Sequence, residues 1–259
     1  MNDLARPRIA IPVPTSAELD YNARTWPKYA AAVTEAGGEA VQVPLSLSPG
    51  EIAKLATSCQ GILLPGSAAD VNPAKYGEAR QPETAAADLA RENVDELLLQ
   101  DAHNLHKPLL AICYGLQMLN VWRSGTLVQH LIPVPVNHRA GASVSVAHSA
   151  AIQPISHLAE MVESSSELTH GADFLRLPIN SSHHQAIGIV GDGLKVVARC
   201  PQDAVVEAVE GSQPDHFVLG VQWHPERSTE TSEASRLIFK AFLQAVTAWH
   251  PRSITESRA

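Results

Sequence analysis

Leu110-Ala111-Ile112-Cys113-Tyr114-Gly115-Leu116-Gln117 is the stretch on which the reading of this chain turns. With Pro108-Leu109 before it, an unbroken apolar run ends in small-x-nucleophile-x-Gly, and a helical pattern begins at once. A strand apolar on every residue is buried on both faces, the situation of a parallel sheet covered by helices. The junction has the form of a nucleophile elbow, in which a tight strand-to-helix turn exposes one side chain. Small residues at 111 and 115 let the two backbones approach closely. Cys113 then sits at a helix N-terminus, where the dipole and free amides favour the thiolate. The backbone N–H of Tyr114 faces an oxyanion formed beside that sulfur. Taken alone, a small buried hydrophobe at a strand end is an equally good reading of Cys113.

Working outward, the same alternation recurs. Residues 8–13 read as a first strand, ended by Pro12 and Pro14. Trp26, Tyr29, Ala30 and Val33 share helical spacing, and Gly37-Gly38 stops that helix. A strand at 40–43, a short helix at 49–57 opened by Ser48, and a strand at 61–64 leading into Pro65-Gly66-Ser67 follow. A long helix is predicted over 84–105, with Leu89, Val94, Leu97, Leu98 and Ala102 on its buried face. In the second half, 142–147, 194–199, 205–209 and 217–223 read as strands without intervening helices, an antiparallel extension of the sheet. Residues 234–246 form a last amphipathic helix. The fold class expected is α/β, a mostly parallel central sheet with an antiparallel extension, in one domain spanning 1–259 with 1–7 and 250–259 frayed.

Composition narrows the function. Among 259 residues, 19 Lys+Arg against 27 Asp+Glu give 19 − 27 = −8, with 45% hydrophobic and 18% charged. Those fractions exclude disorder, and an acidic chain without a basic stripe argues against nucleic acid. No apolar run approaches the roughly 20 residues of a membrane span, and no signal peptide is visible at the start. Cys59, Cys113 and Cys200 are odd in number, far apart and without CxxC, so a disulfide framework is not expected and a reducing cytoplasm is.

A thiol nucleophile needs a base. Gly220-Val221-Gln222-Trp223-His224-Pro225-Glu226 supplies one: the strand stops at Trp223, so His224 stands at the carboxyl edge where open α/β sheets keep their sites. Glu226 can hold one ring nitrogen and leave the other for Cys113. By itself His-Pro-Glu is an ordinary surface turn; paired with the elbow it reads as catalytic.

Together, Ala111 to Gln117 and Gln222 to Glu226 resemble the class I glutamine amidotransferase superfamily, whose triad is Cys-His-Glu in that order. Residues 65–73 with Tyr76-Gly77, and Asn180-Ser181-Ser182-His183-His184-Gln185-Ala186, resemble its gamma-glutamyl-gamma-aminobutyrate hydrolase branch. The likeness runs from about residue 8 to 247. It implies a flavodoxin-like three-layer sandwich and a thiol hydrolase of a small gamma-glutamyl amide. Cys113 is then nucleophile, His224 base and acid, and Glu226 its orienter. Gly66, or the Gly66-Ser67 peptide, and Tyr114 are oxyanion donors; Ser67, Gln117, His183, His184 and Gln185 hold the glutamyl end. No metal or organic cofactor is implied, and the chain is open to pairing as a homodimer. A glutaminase subunit feeding ammonia to a separate synthase, and a catalytically silent binding member, are the alternatives. The chain departs from the branch at Tyr114, where Arg is usual, and at Trp122-Arg123, which are expected to reshape one pocket wall.

Other candidates are weaker. His103 and His106 lack a third metal ligand. His183 and His184, adjacent in an extended segment, point apart. Gly191-Asp192-Gly193 precedes a strand rather than the helix a phosphate cradle requires.

Overall fold

The computed structural model describes residues 6–251, so 1–5 and 252–259 of the expected frayed ends lie outside the described residues. In chain order the strands are β1 (Arg8–Pro12), β2 (Glu39–Val43), β3 (Gly61–Leu64), β4 (Leu109–Ile112), β5 (Leu127–Val128), β6 (His148–Ile152), β7 (Thr169–His170), β8 (Leu175–Ile179), β9 (Ala186–Ile187), β10 (Leu194–Arg199), β11 (Val206–Gly211) and β12 (Val218–Val221). The helices are α1 (Leu19–Glu35), α2 (Pro49–Thr57), α3 (Leu89–Leu105), α4 (Tyr114–Trp122), α5 (His157–Val162) and α6 (Glu233–Ala248). Ten strands form one sheet in the order β2-β1-β3-β4-β12-β11-β10-β6-β8-β7. The first five are mutually parallel in the flavodoxin order, and the other five continue the sheet antiparallel.

Alternate strand residues serve opposite layers. Ile9, Ile11, Leu63, Leu110, Ile112, Leu219 and Val221 pack with Tyr29 and Val33 of α1 and with residues of α5 and α6. Ala10, Ile62, Leu64, Leu109 and Ala111 pack with Ile52 of α2, Val94 and Leu98 of α3 and Met118 of α4. This two-sided burial is why β3, β4 and β12 are apolar throughout, whereas the edge strand β2 carries the exposed Glu39 and Gln42. Local signals held where the chemistry was local. Ser48 caps α2 in a reciprocal capping box with Glu51, and Gly37, at φ +101°, takes the left-handed turn after α1.

Four expectations are corrected. β12 pairs with β4 in parallel and with β11 antiparallel, so it is the last strand of the parallel core and the one from which the antiparallel extension grows. No strand spans 142–147: the strand is β6, where His148, Ala150 and Ile152 face inward and Val146 is exposed. Helix α3 starts at Leu89 with Asp88 as N-cap, because Thr84 and Ala85 instead bond Gln129 and Asp70. On α3, Leu89 and Leu97 are exposed, and Arg91 and Asp95 occupy the buried face. A buried ion pair at i,i+4 stands where periodicity anticipates apolar residues. Among the described residues no helix is long and apolar enough to cross a membrane.

Candidate active site

Three neighbouring parallel strands deliver the site. β3 runs into Pro65-Gly66-Ser67, β4 into Cys113, and β12 through Gln222-Trp223 into His224. The register sets Leu64 beside Ala111 and Ile112 beside Val221, so their carboxyl ends lie side by side. Cys113 has φ +53° and ψ −108°, a strained backbone for a non-glycine residue and the sharp turn of the elbow. Gly115 has to be glycine, since a Cβ there would run into the Leu64 carbonyl.

The His224 ring is hydrogen-bonded to Glu226 and lies near Cys113. Its Nδ1 lies 2.8 Å from Glu226 Oε1, both side chains 2% exposed, and Cys113 lines the same cleft, near enough to act on the ring electrostatically. Burial alone pushes an imidazole down, but Glu226 and Cys113 outweigh it and raise His224 from 6.5 to about 9. Glu226 is held below the usual carboxylate range: burial works against this, and His224, followed by Arg227, overcomes it.

Around this dyad, the Gly66 N–H donates to the Tyr29 hydroxyl at 3.0 Å. It is thus engaged inside the protein. Tyr114 opens α4 with Cys113 as its N-cap, so the Tyr114 N–H belongs to the first helical turn, whose amides lack intrahelical acceptors. Beneath it, the fully buried Arg91 donates to Asp95 (2.8 Å), to the Pro14 carbonyl (2.8 Å) and to the Pro65 carbonyl (2.6 Å), with its guanidinium 4.9 Å from the Tyr114 ring centre.

A cleft of about 390 Å³ opens on Cys113 and His224 and is lined by Tyr21, Ser67, Asp70, Gln117, Arg139, His183, His184, Gln185 and Arg227 among others. Gln117 Nε2 donates to the Gln185 carbonyl (3.1 Å) and to Gln222 Oε1 (3.3 Å). His183 is buried, its Nδ1 donating to the Gln185 carbonyl at 2.9 Å, and burial with nearby His138 keeps it neutral. His184 turns to Asp70, 3.0 Å away, so the adjacent imidazoles do point apart. Every residue expected from the sequence to hold the glutamyl end therefore lines one cleft.

Trp122 and Arg123 do not line it. They lie at the far end of α4, roughly 13 Å of helix from Cys113, where Arg123 stacks on Trp122 and His103 meets that ring edge-on. His103 and His106 face different partners, His106 stacking on His216. Cys59 and Cys200 are buried, and burial raises both thiols, Cys200 to about 11.

Tyr21, Arg91 and Arg139 were not singled out in the sequence, Tyr29 entered only as a core residue of its helix, and Asn180 only as the start of the stretch 180–186. Tyr29 and Arg91 sit at core positions of amphipathic helices, so only their polar atoms, aimed at the loop after β3, give them away. Arg139 lies in a loop without a periodic signal.

This is the arrangement of a glutamine amidotransferase-like hydrolase acting on amide bonds. A family model described as Peptidase C26 matches residues 12–226, and the chain belongs to that family. It is 35% identical over 226 residues to the gamma-glutamyl-gamma-aminobutyrate hydrolase PuuD of Escherichia coli K12, the match covering 84% of each chain. It is 31% identical over 220 residues to Protein NtpR of Enterococcus hirae, covering 82% of this chain and 85% of that one. Among solved structures, the CTPS glutaminase domain of Trypanosoma brucei with bound acivicin superposes with a TM-score of 0.61 at 17% identity, covering 94% and 96% of the two chains, a likeness of fold.

Proposed function

We propose that the chain hydrolyses the amide bond of a small gamma-glutamyl amine, of which gamma-glutamyl-gamma-aminobutyrate is the leading candidate, through a glutamyl thioester on Cys113. The observation that carries this reading is the buried Glu226–His224 hydrogen bond beside Cys113 at the mouth of the cleft. Cys113 Sγ attacks the gamma-carbonyl carbon, and the N–H groups of Tyr114 and Ser67 receive the oxyanion. As the C–N bond breaks, His224 gives its proton to the departing amine. A water then loses a proton to His224, adds to the thioester, and releases glutamate and the free thiol.

The cleft also suits the ends of such a substrate. Arg139 and Arg227 offer cations to its carboxylates, while Gln117, Gln185 and the Asp70–His184 pair offer hydrogen bonds for the glutamyl head. The modest identity to the hydrolase relative supports the substrate class better than its amine half. The test is turnover by the isolated chain on gamma-glutamyl-gamma-aminobutyrate, other gamma-glutamyl amines and glutamine, with Cys113→Ala as control. Amine release that is lost in Cys113→Ala is expected. Activity on glutamine alone, and only with a synthase present, would point to an ammonia-delivering subunit instead.

A further inference from the structure

Behind His183, three side chains from separate segments meet in the interior: His138 from the loop between β5 and β6, His148 from β6, and Glu207 from β11. Their side chains are 2%, 2% and 0% exposed. His138 Nδ1 lies 3.4 Å and His148 Nε2 3.5 Å from the same atom, Glu207 Oε1. Neither approach makes a hydrogen bond, and all three atoms lack a hydrogen-bond partner. Buried polar atoms are seldom left so, because each costs its desolvation.

The far nitrogens explain which atoms are free. His138 Nε2 is 2.9 Å from an Asp203 carboxylate oxygen, and His148 Nδ1 is 3.2 Å from the Ser149 carbonyl. A carbonyl only accepts, so the neutral His148 ring carries its proton on Nδ1 and turns a bare lone pair toward Glu207. His138, giving its Nε2 proton to Asp203, does the same with Nδ1. Two lone pairs facing one carboxylate repel unless a proton or a metal cation sits among them. Metal-bound histidines pass their second N–H to a carboxylate or carbonyl in this manner. A tetrahedral site with bonds of about 2.0–2.1 Å places its donor atoms roughly 3.3–3.4 Å apart, near the two separations seen here.

We propose that His138 Nδ1, His148 Nε2 and Glu207 Oε1 bind a divalent cation of the zinc type, with water in the fourth position. Two imidazoles and one carboxylate suit Zn²⁺ better than Ca²⁺ or Mg²⁺, which take oxygen ligands. A second grouping, His138 with Cys200 and Asp203, is disfavoured because its atoms are already bonded: His138 Nε2 to Asp203, and Cys200 Sγ to Gln202. The ion's work is positional. The His138 carbonyl accepts from the His183 N–H and the Ser181 hydroxyl, both at 2.9 Å, and Arg139 follows at the cleft. Clamping His138 to β6 and β11 fixes the wall that presents His183 and Arg139.

The test is metal content and metal uptake of the whole chain, read without reference to turnover. Purified protein freed of loose metal is expected to hold or take up one equivalent of Zn²⁺, with a thermal midpoint that rises on loading. Co²⁺ in its place should give the visible bands of a tetrahedral site with no thiolate charge-transfer band. Glu207→Gln and His148→Asn should each weaken uptake by about 100-fold or more, and Cys200→Ser should leave it unchanged. Folded wild-type protein that takes up neither ion at micromolar concentration would overturn the proposal, a proton on Glu207 then occupying the gap. A Co²⁺ spectrum with a thiolate band that Cys200→Ser abolishes would overturn it equally. The wild-type measurements decide the question even where a variant does not fold.

Discussion

Asn180 grips the backbone of His224 from both sides: its Oδ1 accepts the His224 N–H and its Nδ2 donates to the His224 carbonyl, each at 2.9 Å. The imidazole is thereby fixed by a residue 44 positions earlier, just after β8. Asn180→Ala leaves two buried backbone groups without partners, a cost of about 1–3 kcal/mol each before water relieves it. A lower denaturation midpoint is expected, with kcat falling at least tenfold and KM nearly unchanged. Unchanged kcat would show that Pro225 and Glu226 hold the ring unaided.

The pH dependence follows from His224 and Glu226. His224 has its folded value raised from 6.5 to about 9. Its stabilising contribution is therefore complete below pH 6.5 and lost as pH rises through about 9. Glu226, held low, contributes above its unfolded value of 4.5 and loses that contribution as pH falls through its lowered folded value. Activity should fall on an alkaline limb near pH 9, where His224 can no longer protonate the leaving amine. Glu226→Gln removes the negative partner and should move that limb to lower pH, with kcat reduced about 10²–10⁴-fold. A pH–rate profile of both proteins measures the shift; an unmoved limb would assign it to another group.

Tyr29 ties the loop after β3 to α1 through the Gly66 N–H. Tyr29→Phe removes the acceptor and strands that amide, so the loop loses its anchor and kcat should drop several-fold with a stability loss of about 1–2 kcal/mol. Gly66→Ala acts differently, since the new methyl would stand 3.0 Å from His224 Cε1 and 3.1 Å from the Tyr29 hydroxyl. Crowding both should cost more activity than Tyr29→Phe does. Were Tyr29→Phe faster than wild type, the Gly66 N–H rather than the Ser67 N–H would be the second oxyanion donor.

What could be read from sequence tracks how local the physics was. The elbow was legible because strand, nucleophile and glycine fall within a few residues, and its geometry is dictated by backbone crowding at Leu64. The inner parallel strands β3, β4 and β12 were legible because burial on both faces leaves no polar position. β6 was not, since its inward residues are His148, Ala150 and Ile152, and a histidine faces inward there only because Glu207 and His138, distant in sequence, surround it. α3 misled for the same reason. Arg91 and Asp95 cancel each other's charge, so two charged residues share the buried face with Val94, Leu98 and Ala102 while Leu89 and Leu97 are exposed. The roles of Trp122 and Arg123 were misplaced because sequence proximity to Cys113 does not say which end of α4 meets the cleft.

Arg91 provides the sharpest separation between folding and chemistry. Burial pushes Asp95 up to about 6, against the downward pull of Arg91, and removing the arginine alone strands that carboxyl in the core. Arg91→Met should cost about 3–5 kcal/mol and also release the Pro65 carbonyl that precedes the oxyanion loop. Pairing it with Asp95→Leu removes the orphaned charge, and apolar replacement of a whole buried pair is often neutral in stability. The double variant should therefore recover its denaturant midpoint while kcat stays low, because nothing then holds Pro65 or braces Tyr114. Measuring both quantities across the four proteins of the cycle separates the two roles. Recovery of kcat together with stability would mean that the guanidinium serves the fold alone, and that the loop after β3 keeps its shape without it.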